Sequence, residues 1–127
     1  MKEKETKTIK ADYADTYTKR LKGLMLQNTI KPLLYKQKNP HKIYATIHTL
    51  FMKKTIDIIY INQKNQITET TTLKPWKIHI PKNNDTKYII ELPQNTIKTM
   101  NIKKHNQTKI TTHKNKKIIK IQTEEKK

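Results

Sequence analysis

The stretch Ile56–Ile61, IDIIYI, decides the fold. All but one of its residues are apolar or aromatic and no polar face alternates through it, which is how a strand covered on both sides reads. As a strand it sends Ile56, Ile58 and Tyr60 one way and Asp57, Ile59 and Ile61 the other, so Asp57 is enclosed. Downstream, Asn62–Asn65 (NQKN) supplies a turn in which Asn takes the left-handed conformation, and Gln66–Thr72 leads away as a more polar strand, completing a hairpin. Upstream, Ile43–Met52 (IYATIHTLFM) alternates and predicts a further strand.

Further out the signals are shorter. Thr6–Tyr13 reads as a first strand, and Asp15 caps a helix from Thr16 to Gln27 with Leu21, Leu24 and Met25 on one side. Pro32 restarts the chain as extended Leu33–Tyr35, Asn39 and Pro40 mark a turn, and Leu73–Lys77 (LKPWK) is an irregular corner. Tyr88–Leu92 is another strand, Pro93–Met100 a short helix started by proline, and Thr108–Thr112 and Lys117–Gln122 flank a turn at His113–Lys116. These elements predict an α+β, mainly β domain over residues 6–122. Its sheet is antiparallel, curved and barrel-like, with one main N-terminal helix and a short second one. Residues 1–5 and the charged tail 123–127 are expected to fray.

With 127 residues the chain suits one domain. Its 28 Lys and Arg against 10 Asp and Glu give a formal net charge of +18, and only 33% of residues are hydrophobic. That balance lies close to the border of disorder. Cys and Ser are absent, which excludes disulfides, thiolate metal sites and cysteine or serine nucleophiles. Gly23 is the single glycine, so neither a P-loop nor a dinucleotide fingerprint can be written. Met1–Lys10 has no apolar core and no apolar run nears about 18 residues, so a cytoplasmic chain without membrane contact is expected. The histidines at 41, 48, 79, 105 and 113 are scattered, so no metal and no cofactor is expected.

Arg20 is the one arginine, while Lys, Ile, Thr and Asn dominate and Val is missing. Those four residues share A-rich codons, and a coding bias accounts for most of the charge. Nucleic-acid readers lean on Arg for its fork and its stacking. Nonspecific adhesion to polyanions at low salt is expected whatever the function.

Four motifs then stand in register. RLKGLM with Arg20, Gly23, Leu24 and Met25, IHTLFMKKTIDIIYI from Ile47 to Ile61, LKPWK with Pro75 and Trp76, and ELP from Glu91 to Pro93 followed by Thr96 resemble the family catalogued as domain of unknown function 192. The match runs over about residues 8–112, and the IH before FM and the PW corner are most similar to archaeal members. The resemblance implies a compact, mainly β fold and a family without a characterised biochemical role. Where relatives carry glycine this chain has Asn65, Asn95 and Asn106 followed by Gln107, and Asn tolerates positive φ at modest cost.

Asp57 and Glu91 lie in apolar strands and need partners. Arg20, kept where lysine prevails elsewhere, is expected to bridge from the helix to Asp57, Glu91 or both as a structural ion-pair cluster. The two carboxylates, if close, are also the one acid and base pair in view, and no residue is assigned a catalytic role. Gly23 is expected to permit close helix packing. Trp76 is either a lid on the core or a stacking surface. The leading functional expectation is a non-catalytic binding module with a cleft bordered by His48, Met52, Pro75 and Trp76 for a small ligand or peptide. The alternatives are a lysine-rich nucleic-acid-associating protein and, more distantly, a metal-assisted hydrolase.

Overall fold

A computed structural model of the chain describes residues 4–14 and 29–124. Its strands are β1 (Lys4–Ala14), β2 (Leu33–Lys36), β3 (Ile47–His48), β4 (Ile56–Asn62), β5 (Ile67–Leu73), β6 (Ile78–His79), β7 (Thr86–Pro93), β8 (Gln107–His113) and β9 (Lys116–Glu124), with one short helix, α1 (Thr96–Thr99). The helix expected over Thr16–Gln27, and with it Arg20 and Gly23, lies outside the described residues. Among the described residues no helix is long and apolar enough to cross a membrane.

Seven strands form one sheet in the order β5-β4-β7-β2-β1-β9-β8, and β3 pairs with β6 in a separate ribbon. The large sheet is mixed rather than antiparallel, because β1 and β2 run parallel with Asp12 opposite Leu33. A parallel pair needs a connection of about a dozen or more residues, a length that residues 15–32 supply. Nor is the sheet a closed barrel. Its edge strands β5 and β8 touch at one end only, where Gln66 bridges Gln107 and Ile67 N–H donates to the Asn106 carbonyl at 3.0 Å. At the other end α1 stands beside β4 and β5: Thr72 Oγ1 donates to Asp57 Oδ1 at 2.8 Å and Ile97 N–H to Asp57 Oδ2 at 2.9 Å. Ile97, Met100 and Ile102 then pack on the inner core.

IDIIYI is covered on both faces, as its composition requires. Ile59 and Ile61 join Ile9, Leu34, Ile90, Leu92, Ile119 and Ile121 inside the curl. Ile56, Ile58 and Tyr60 face outward onto a second cluster with Ala45, Ile47, Met52 and Ile89. Burying each such side chain contributes about 1.5–3 kcal/mol, which is how a chain with so few apolar residues still holds a core.

Several elements differ from expectation for identifiable reasons. Ile43–Met52 is not one strand; only Ile47–His48 is, between turns closed by Ala45 N–H to the His41 carbonyl at 3.3 Å and Met52 N–H to the Thr49 carbonyl at 3.1 Å. The alternation in the sequence is real, since Ala45, Ile47 and Thr49 are buried in turn, but it serves a turn-rich cover over β4. Pro93 ends β7 instead of starting a helix, and Asn95 at φ 74° caps the four-residue α1. Among the described residues β1 and β9 pair as far as Lys4 opposite Glu124 and Glu5 opposite Thr123. Asn65 and Asn95 occupy positive φ, whereas at the third glycine-like position the left-handed residue is His105, at φ 77°, and not Asn106.

Candidate functional site

The outer layer is built around Thr49, which is fully buried. Its N–H donates to the Lys77 carbonyl at 2.8 Å and its carbonyl accepts from Trp76 N–H at 2.9 Å. Its hydroxyl donates to the Lys74 carbonyl at 2.5 Å and accepts from Lys77 N–H at 2.9 Å. Both backbone groups and the hydroxyl of one residue thereby tie the turn after β3 to the LKPWK corner. In the ribbon Ile47 pairs with His79 and His48 with Ile78, so alternation turns Ile47 and His79 toward the sheet and His48 and Ile78 away from it.

On that outward side lies a cavity of about 670 Å³ lined by Tyr35, Ile43, Tyr44, His48, Leu50 and Ile78, with Gln37, Lys38, Asn39 and Thr46 supplying polar groups. Ile43, Tyr44 and Ile78 are 56%, 66% and 62% exposed, an unusual placement for large apolar side chains in a chain so short of them.

Of the residues expected to border a cleft, His48 lines this cavity. Met52 is buried beneath it in the outer core cluster. Trp76 stands in the neighbouring corner beside Pro75, with its ring 4.8 Å from that of Phe51 at an interplanar angle of 59°. The carboxylates are not brought together. Asp57 lies opposite Leu92 and Glu91 opposite Ile58, so Asp57 projects to the inner face of the sheet and Glu91 to the outer. Each is only 1% exposed. An acid and base pair needs both groups at one reacting centre, and a sheet lies between these two. Arg20, the third member of the expected cluster, lies outside the described residues.

Sequence reasoning missed Thr49 and the pair Glu69–His79. Glu69 Oε2 lies 2.5 Å from His79 Nε2, its Oε1 accepts from Lys82 N–H at 2.9 Å, and the His79 ring sits 5.9 Å from that of Tyr60. This pair fastens β6 to the outer face of β5. Only Tyr60 was legible in advance, because nothing in TETTT distinguishes Glu69 from a solvated edge residue. No group of three or more metal-ligating side chains occurs among the described residues.

An open, curled seven-stranded sheet with a turn-rich apolar cover defines a small, mainly β protein. Residues 1–110 match the family model DUF192, described as Uncharacterized ACR, and the chain belongs to that family. It is 34% identical over 94 residues to a UPF0127 protein of Pyrococcus furiosus, covering 74% of this chain and 80% of that one. It is 35% identical over 102 residues to a UPF0127 protein of Pyrococcus abyssi, covering 77% and 86%. Among solved structures, a protein of unknown function from Novosphingobium aromaticivorans superposes with a TM-score of 0.65 at 15% identity over 85% of this chain and 72% of that one. A putative transcription regulator from Sinorhizobium meliloti superposes with a TM-score of 0.62 at 13% identity over 92% and 93%. These two likenesses concern the fold alone.

Proposed function

We propose that the chain is a non-catalytic binding module whose outer groove takes a small ligand with an apolar body. The observation that carries this reading is the exposure of Ile43, Tyr44 and Ile78 around one cavity of about 670 Å³, within the range of roughly 300–1,000 Å³ usual for small-molecule sites. His48, Gln37 and Asn39 in its wall are the groups that orient the ligand. Met52 belongs to the core cluster beneath, and Pro75 and Trp76 lie in the next corner, outside the lining of this cavity. The separation of Asp57 and Glu91 onto opposite faces favours binding over acid–base chemistry. In this reading Arg20 is part of the scaffold. A cysteine-free chain suits the cytoplasmic setting that goes with it.

The uncharged probe N-phenyl-1-naphthylamine tests the site without interference from the protein's charge. Its fluorescence is expected to rise on binding the wild type and to stay flat with Ile78→Lys or Tyr44→Ala, both changes at exposed positions that leave the core intact. Equal enhancement by all three proteins would move the ligand site elsewhere. Enhancement displaced only by an apolar peptide, and by no small molecule, would make the groove a peptide site.

A further inference from the structure

Two aromatic residues beside the groove are held in a way that packing does not explain. Phe51 and Trp76 sit in the two turns that Thr49 ties together, and both have left-handed backbones, at φ 65° and φ 63°. Side chains with a Cβ are sterically disfavoured there, bulky ones most of all. Both rings are also in water, 51% and 59% exposed, while touching each other. The buried anchors of these turns are Thr49 and Met52. A strained backbone and an exposed ring at each of two contacting positions point to function, because such strain persists where surroundings impose it at binding sites.

We propose that Phe51 and Trp76 form a stacking platform for the bases of single-stranded nucleic acid. The charge of the two segments selects this ligand. Residues 38–56 and 70–84 contain no Asp or Glu, and Lys53 and Lys54 follow Phe51 closely while Lys74 and Lys77 flank Trp76. All four lysines are exposed. Aromatic faces flanked by flexible cations match a planar base joined to a phosphate. A neutral sugar calls for carboxylate acceptors, which these segments lack. A duplex hides its base faces within its own stack, so the platform serves single strands. Stacking and phosphate neutralisation read no sequence, so the scarcity of arginine is no obstacle. The platform is independent of the groove, which uses Tyr44 and Ile78.

Trp76 is the only tryptophan, so its fluorescence reports on the site directly. The full chain is titrated at about 0.2 M salt with an oligothymidylate and with an abasic deoxyribose-phosphate oligomer of the same length and charge. The oligothymidylate is expected to quench Trp76 and to bind roughly tenfold or more tighter than the abasic chain. By anisotropy of a labelled oligothymidylate, Phe51→Ala and Trp76→Ala are each expected to lose about tenfold, and Lys109→Ala on β8 much less. Equal affinity for the two oligomers, equal quenching by a duplex, or no binding at this salt would overturn the proposal. So would quenching by an acidic, leucine-containing peptide and not by the oligothymidylate, which would make the pair a protein-docking site. Phe51→Gly and Trp76→Gly remove both ring and strain, and both are expected to raise the melting temperature. A fall in either would make that ring a packing element and reject the platform.

Discussion

At the scale of the residue, Thr49 and the two buried carboxylates decide how the outer layer and the sheet hold together. Thr49→Val keeps the shape but removes a hydroxyl that bonds the Lys74 carbonyl and the Lys77 N–H. Leaving such groups unmet in a buried place costs about 1–3 kcal/mol, so the melting temperature is expected to fall by several degrees, measured by calorimetry. Because the same bonds place Trp76, its fluorescence anisotropy is expected to fall as well. Asp57 is held by Thr72 and by the backbone of Ile97, and its enclosure was legible from IDIIYI alone. Its partners were not, since a backbone N–H bonds regardless of its side chain. The expectation from the sequence that Arg20 serves Asp57, Glu91 or both is tested by a double-mutant cycle: if Glu91 is a partner, Arg20→Lys and Glu91→Gln should each lower stability, and the double variant should lose less than their sum. Strict additivity would remove the pairing. Thr49 itself was illegible, because threonine fills this chain and its partners lie 25 and 28 residues away.

At the scale of the element, the hairpins and the double-faced strand could be read because their information is local: IDIIYI carries no polar face and NQKN carries a turn. The cover over Ile43–Met52 was misread because inward and outward positions alternate in a turn-rich segment as they do in a strand. What separates the two is the bonding of Thr49 to a corner far along the chain. The glycine-poor turns give a measurable contrast. His105 at φ 77° lacks the freedom of glycine, whereas Asn65 at φ 61° is of the residue type that, after glycine, enters this region most readily. His105→Gly is therefore expected to raise stability by about 1 kcal/mol and Asn65→Gly by well under half of that, read from urea midpoints at constant slope. Equal gains at both sites would mean that asparagine at position 65 is as strained as histidine at position 105.

At the scale of the whole molecule, the question is whether +18 is a function or a residue of coding bias. The outer face of β1, β9 and β8 gives a direct answer, because Lys120 on β9 lies opposite both Thr8 on β1 and Lys109 on β8, with both lysines exposed. Like charges directly opposite on a sheet are destabilising, and opposite charges there contribute roughly 0.2–1 kcal/mol. A lysine kept for a polyanion partner would be required despite that cost, whereas a lysine left by drift would not be. Lys120→Glu is accordingly expected to raise the melting temperature slightly and to leave the binding of single-stranded oligonucleotides at about 0.2 M salt unchanged. Adhesion to duplex DNA is expected at low salt and to collapse as salt rises, without regard to duplex sequence, because it arises from counterion release alone. If Lys120→Glu instead abolished a binding that survives at the higher salt, the lysine-lined strands would be the interface and the charge would be selected. The platform of Phe51 and Trp76 would then be at most its neighbour. The tryptophan is the better guide, since a bias toward A and T in the codons adds lysines across a surface but adds no tryptophan.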